Sequence, residues 1–397
     1  MKRWITLILA AVTLMCGCAL TILAEGNADG IPDAATEIAQ IDKYGNIDLS
    51  ISPEALRELG YEPGDIIQVK IGDTDIEMPI GTHYTDVDFG APICCFNTSG
   101  DGTEKTVLAI CSGNLAETAS IAEKHTVDSD PGFEWRYLGS YDASVTVLFS
   151  MVQKQGYADE YALHQLLNSR TDKREDYPQL TDAEYANFRA VETTGMGKGT
   201  LYRSSSPVNP KLNRNREADA ALREAQIRTV INLADSENEM EQYEGFDTTY
   251  YACCDIIALD MGMDFRTEDY QRKLADGLRF IGAHEGPYLI HCNEGKDRTG
   301  FVVAILEALM GADAGEIAAD YMRTFSNFYG LREGTDQYQK ISDSFLESSL
   351  AAELGLSSVR NADLKSAAEA YLKRIGMTDD EIASLKDRLA RDYSEET

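Results

Sequence analysis

Positive charge is the scarcest ingredient of this sequence: 36 Lys and Arg stand against 67 Asp and Glu, a formal net charge of −31. Nucleic acids are held by Lys and Arg, so a general nucleic-acid binder is excluded, and adhesion to anionic lipid is disfavoured for the same reason. A site for a phosphorylated ligand must then be a local positive pocket in an acidic body. Histidine is scarce as well, with five in 397 residues. No His and carboxylate cluster and no Cys-x-x-Cys pair occurs, so neither a metal nor another cofactor is expected. Cysteines stand at 16, 18, 94, 95, 111, 253, 254 and 292. Two adjacent pairs among them are poor material for a disulfide framework, and most are expected to be buried as small apolar side chains, Cys292 excepted. No repeat or low-complexity tract is present.

The first residues form a targeting segment. Lys2 and Arg3 precede an apolar run from Trp4 to Ala24, after which Glu25-Gly26-Asn27 turns polar. This is a signal-peptide pattern with Ala24 as the cleavage residue, and left uncut the run is long enough to act as a membrane anchor. Met15-Cys16-Gly17-Cys18 loosely resembles a lipoprotein box, with Cys18 the residue that would carry lipid. The chain is expected to be exported, either secreted or anchored on the outer side of the cell membrane.

The rest divides into a β-rich part and an α/β part, since a single core rarely grows past about 250–300 residues. Residues 25–39 read as a polar linker, 40–125 as a small β-rich, barrel-like domain, 132–180 as a connecting segment and 181–397 as the α/β domain. In the β-rich part Ile67, Val69 and Ile71 alternate along one strand, Gly72-Asp73 turns, and Ile76, Met78 and Ile80 alternate along the next. Thr106 to Cys111 reads as a further strand. A helix is expected over Tyr157–Ser169. In the α/β part the order is a helix near Arg216–Ala225, the strand Thr229–Leu233, a strand over Thr248–Cys254, and a helix from Thr267 to about Ile281. The strand Tyr288–His291 and an apolar helix ended by Gly311 follow. Alternating helix and strand predicts a mainly parallel sheet flanked by helices. Thr378-Asp379-Asp380-Glu381 is a capping box opening the last helix.

Between the strand at Tyr288–His291 and the helix that follows lies His291-Cys292-Asn293-Glu294-Gly295-Lys296-Asp297-Arg298-Thr299-Gly300. A loop from a strand end to a helix start aims the backbone N–H groups of residues 293–297 into one concavity, and the helix N-terminus adds partial positive charge. A phosphate dianion fits there. Gly295 lets the backbone bend where a side chain would obstruct. Cys292, at the mouth of this nest, is expected as a thiolate nucleophile that attacks phosphorus and forms a phosphocysteine. Arg298 returns six residues later with a planar fork for two phosphate oxygens. Thr299 can hydrogen-bond the sulfur as it leaves, and His291 is expected to order the loop rather than transfer protons.

This signature resembles the bacterial tyrosine phosphatases whose loop reads Cys-x-x-Gly-Lys-Asp-Arg-Thr-Gly, a family that includes enzymes acting on phosphotyrosine and phosphoinositides. The resemblance runs over roughly residues 180–395. Its landmarks are Asn187-Phe188-Arg189, Leu201-Tyr202-Arg203-Ser204-Ser205, Val230-Ile231-Asn232-Leu233 with Asp235 and Glu237, and Asp320-Tyr321. It implies the cysteine-phosphatase fold and a phosphomonoesterase without metal. It also implies an Asp that protonates the leaving oxygen from a loop about thirty residues before the cysteine. Asp260 and Asp264 lie 32 and 28 residues ahead of Cys292; Asp260 is taken first, then Asp264, with Asp297 in the loop itself as a third candidate. Lys296 either meets a second phosphate, as in phosphoinositide phosphatases, or only raises the pocket potential. Arg203 either supports the loop or binds substrate. Asn293-Glu294 departs from relatives, which often carry small or apolar residues there. The substrate class expected is a phosphotyrosine-type phosphoprotein, the alternative a phosphoinositide or inositol phosphate; a non-catalytic phosphoprotein reader would need a broken signature. Residues 40–120 resemble the C-terminal barrel of the S-adenosylmethionine hydroxide adenosyltransferases, through Asp42-Lys43-Tyr44-Gly45-Asn46-Ile47, Tyr84-Thr85-Asp86-Val87 and Gly113-Asn114-Leu115-Ala116-Glu117. That family's catalytic domain has no counterpart here, so a structural or binding accessory is implied.

Overall fold

A computed structural model of the chain describes residues 21–393, except 27–29, 89, 99–101, 128–130 and 143. Most of the leader, including Cys16 and Cys18, lies outside the described residues. Among the described residues no helix is long and apolar enough to cross a membrane. The chain divides into two units, with the boundary between Ser169 and Arg170.

Among the described residues the first unit has ten strands: β1 (Thr21–Gly26), β2 (Pro32–Ile41), β3 (Ile47–Leu49), β4 (Ile66–Ile71), β5 (Thr74–Gly81), β6 (Pro92–Thr98), β7 (Glu104–Ile110), β8 (Ala122–Thr126), β9 (Phe133–Tyr137) and β10 (Thr146–Gln153). Seven of them close a barrel in the order β2-β10-β4-β5-β6-β7-β3 and back to β2, with β1 added along β2. All its ladders are antiparallel except β5–β6. The alternation seen in the sequence is the inside-outside alternation of the barrel wall: Ile67, Val69, Ile71, Met78 and Ile80 all point into the core.

Two expected boundaries differ. The stretch 25–39, read as a linker, carries most of β2, because Ala34, Ala35, Thr36 and Ile38 are buried against β10 and β3. The stretch 132–180, read as a connection, supplies β9 and the barrel strand β10, whose Val147, Phe149 and Met151 alternate into the same core. A helix at Ala158–Asn168 follows β10.

The second unit carries a five-stranded sheet of β11 (Arg189–Ala190), β12 (Leu201–Ser204), β13 (Thr229–Asn232), β14 (Asp255–Ala258) and β15 (Tyr288–His291), in the order β11-β12-β15-β13-β14. The ladders are parallel except β11–β12. All four residues of β15 are buried, as a central strand covered on both faces requires. Helices at Asn215–Glu224, Glu268–Ala283, Asp297–Met310, Ala314–Tyr329, Leu364–Arg374 and Asp379–Leu389 belong to the same unit; Asp297–Met310 lies against β12 and β15, and Ala314–Tyr329 and Leu364–Arg374 lie against that helix. The last opens on the Thr378 and Glu381 capping box, and Gly311, at φ +108°, ends the helix Asp297–Met310.

The strand expected at Thr248–Cys254 is instead two 3₁₀ turns, Phe246–Thr248 and Tyr251–Cys253, with β14 starting at Asp255. Asp219 accepts hydrogen bonds from the amides of Tyr250 and Tyr251 and holds this segment off the sheet. Cys94, Cys95, Cys111 and Cys292 are buried free thiols, whereas Cys253 in the second turn is exposed.

Candidate active site

The sheet register brings Ser204, Asn232 and His291 side by side at the C-terminal ends of β12, β13 and β15. The loop 292–296 leaves the sheet at that edge, and the helix starting at Asp297 carries the chain away. A crevice at the carboxyl ends of parallel strands is where α/β sheets bind ligands.

Gly295 sits at φ +67°, and a Cβ there would stand 2.2 Å from the Ser204 carbonyl oxygen and 2.9 Å from the Ser205 nitrogen. Only glycine permits both the left-handed backbone and the contact between the two loops. Gly300 plays the same packing role one turn into the helix, where a Cβ would meet the Tyr321 ring at 2.6 Å. The loop's carbonyls are held from outside: Asn187 Nδ2 donates to the Glu294 and Gly295 oxygens, Arg203 Nη2 donates to Gly295 O at 2.8 Å, and the Ser206 amide donates to Asn293 O at 3.0 Å. Tying the carbonyls outward leaves the loop's N–H groups free to face inward, the arrangement of an anion nest.

Arg203 is fully buried and pairs with Asp320, which also receives Arg189 Nε at 2.8 Å. Of its two sequence readings, support of the loop is the one this burial matches. Burial alone would raise the Asp320 carboxyl, but the two guanidinium groups outweigh it and hold it down to about 2. Arg189 Nη1 in turn donates to the Asn187 side chain. The landmarks scattered from 187 to 320 therefore converge on one scaffold behind the loop. Removing one partner of such a buried pair costs about 3–5 kcal/mol.

His291 is fully buried, with Nε2 2.9 Å from the Tyr251 hydroxyl and Nδ1 3.4 Å from Cys292 O. Burial pushes its imidazole down to about 4, so it is neutral at physiological pH. Cys292 is 3 % exposed at the base of the loop. Arg298 Nη1 donates to Met261 O at 2.8 Å and Leu233 O at 3.3 Å, while its Nε is buried without a partner. The Thr299 hydroxyl is likewise buried and unpartnered. Buried donors without acceptors are costly, and an oxyanion bound in the nest would satisfy them.

The three carboxylates considered as acids stand in different settings. Asp260, exposed and at φ +42°, is placed by its main chain: its amide donates to Asp235 O at 3.0 Å and its carbonyl receives Lys273 Nζ at 2.6 Å. It directly precedes Met261, whose carbonyl holds Arg298. Asp264 is exposed and bound by Arg266, whose side chain holds the carboxyl below its ordinary range. Asp297 lies inside the loop beside Lys296. Burial raises its carboxyl against the pull of Lys296, and with 43 % of the side chain accessible, water moderates that rise. Lys296 is itself enclosed by carboxylates, 3.1 Å from Glu294 and 3.8 Å from Asp297.

A family model described as "Tyrosine phosphatase family" matches residues 183–391. The chain belongs to the tyrosine phosphatase family. It is a cysteine-type phosphatase, and the fold is that family's. A second model, "SAM hydroxide adenosyltransferase C-terminal domain", matches residues 36–128 in the barrel. The tyrosine phosphatase-like protein OCA2 of Saccharomyces cerevisiae is 28% identical over 152 residues, covering 38% of this chain and 70% of its own length. The triple specificity protein phosphatase PtpB of Mycobacterium tuberculosis is 50% identical over 46 residues, which is 12% of this chain and 17% of that protein. Among solved structures, P. aeruginosa TpbA aligns with a TM-score of 0.26 and 22% identity, over 44% of this chain and 87% of its own.

Several parts of this phosphatase's site carried no signal in the sequence. Arg170, whose Nη1 lies 3.2 Å from Glu294, stands more than a hundred residues away. Tyr251 reaches His291 from a turn read as strand. Asn209 links the Tyr243 hydroxyl to the Asn293 side chain, and Tyr243 donates to Asp235. Isolated Arg, Tyr and Asn residues match no pattern, so folding alone reveals them.

Proposed function

We propose that this chain is an exported phosphatase that hydrolyses phosphotyrosine-type monoesters through a phosphocysteine on Cys292. The observation that carries the reading is the nest itself, where the cysteine sits at the base and the buried Arg298 Nε and Thr299 hydroxyl lack partners. In the first step the Cys292 sulfur forms a bond to phosphorus, the ester P–O bond breaks, and an acid delivers a proton to the leaving oxygen. Arg298 and the loop amides hold the equatorial oxygens as charge develops. In the second step water attacks phosphorus, the carboxylate takes its proton, and the S–P electron pair returns to sulfur with the Thr299 hydroxyl available to it.

Export rests on Lys2 and Arg3 followed by the apolar run Trp4–Ala24. A monophosphate substrate is favoured over a phosphoinositide because the Lys296 ammonium is already paired with Glu294 and Asp297. The test is a panel of phosphotyrosine peptides, phosphoinositides and inositol phosphates on the purified ectodomain. The expected result is the highest kcat/KM for the peptides; preference for a phosphoinositide would replace this reading with the second.

We assign the acid to Asp297, because it lies in the signature segment itself, five residues after Cys292 and next to Arg298, with 43 % of its side chain accessible, whereas Asp264 is bound to Arg266. Asp297→Asn is expected to slow alkyl phosphates by about 10²-fold or more while sparing 4-nitrophenyl phosphate, whose leaving group needs little protonation. Rate measurements across leaving groups check this, and the same pattern in Asp260→Asn would move the role there.

A further inference from the structure

Around Glu294 of the loop, two cations face one carboxylate. Arg170 Nη1 stands 3.2 Å from one Glu294 oxygen and Lys296 Nζ 3.1 Å from the other. All three side chains are largely buried, at 14, 18 and 29 % accessibility. The surrounding charges are Asp172, 3.4 Å from Arg170 Nε, and Asp297, 3.8 Å from Lys296; Tyr329 adjoins the same cluster. A carboxylate gripped on both oxygens by an Arg and a Lys occupies the kind of place that a phosphate group takes. Arg170 Nη1 and Glu294 Oε2 are also buried without a well-formed hydrogen bond, so the pairing rests on charge more than on directed bonds.

We propose that Glu294 is a specificity-determining residue: its carboxylate fills a second anion subsite formed by Arg170 and Lys296 and so selects monophosphates against substrates carrying a vicinal second phosphate. This deepens the phosphomonoesterase reading and rests on it. With Glu294 charged, the subsite holds two cations and three carboxylates, and a second phosphate entering it meets repulsion at short range in a poorly solvated setting. With Glu294 neutral, two cations face two carboxylates and Lys296 and Arg170 gain free donors.

The test measures binding, so that it does not depend on turnover. In the Cys292→Ser chain, the affinities for phenyl phosphate and benzene-1,2-bisphosphate are measured by calorimetry with Glu294 present, with Glu294→Gln, and with Glu294→Gln/Arg170→Gln. Thermal melts confirm that each variant is folded. The bisphosphate-to-monophosphate affinity ratio is expected to rise at least about tenfold in Glu294→Gln, and to fall back when Arg170 is also replaced. Binding of phenyl phosphate with an unmoved ratio would overturn the subsite alone. A rise that persists without Arg170 would overturn it equally, since a general loss of negative charge would then suffice. Absence of phenyl phosphate binding in every variant would instead overturn the phosphate-nest reading, and the subsite with it.

Discussion

Turnover of an aryl phosphate is expected to fall by at least about 10⁴-fold in Cys292→Ser, while inorganic phosphate still binds. The serine keeps the size and position of the side chain, so the nest, with its outward-held carbonyls and inward amides, is preserved. The first covalent step is lost because a hydroxyl is a far weaker nucleophile here than sulfur, and His291, turned to Tyr251 and to the main chain, is not placed to activate it. The measurement is kcat with 4-nitrophenyl phosphate together with calorimetric binding of phosphate. Substantial turnover in the variant would place the chemistry elsewhere in the chain.

Arg298→Lys is expected to lower kcat/KM by about 10²–10³-fold, although the charge is conserved. The guanidinium does two things at once. One nitrogen holds the Met261 and Leu233 carbonyls, which fixes the loop carrying Asp260, and the buried Nε remains for an oxyanion. An ammonium offers its donors from a single point and cannot span both positions. A loss of kcat exceeding the loss of phosphate affinity would show that the planar fork acts mainly as charge builds in the transition state. Equal losses in both would make Arg298 a ground-state clamp.

What could be read from the sequence was contiguous. The signature 291–300 names its own chemistry because strand, loop and helix start lie within a few residues, and local backbone geometry alone turns that stretch into a nest. The barrel hairpin at Ile67–Ile80 was legible for the same reason, since side-chain alternation and a turn are local properties. The strands at 32–41 and 146–153 were passed over because a barrel closes through pairs distant in sequence; Thr146 to Phe149 pair with Glu37 to Ala34, across more than a hundred residues. The turn at Tyr251–Cys253 was misread because the apolar run Tyr250–Cys254 carries β propensity, which the bonds to Asp219 override. The sequence by itself pointed to Cys292 as nucleophile, Arg298 as phosphate clamp and Gly295 as the residue that lets the loop bend. Only the tertiary structure showed that Arg203 is buried against Asp320 and the Gly295 carbonyl, that Arg189 shares Asp320 with it, and that Arg170 stands against Glu294 of the loop. Those outcomes depend on distances between side chains far apart in the chain, and charge pairing acts through distance in space, not position in sequence.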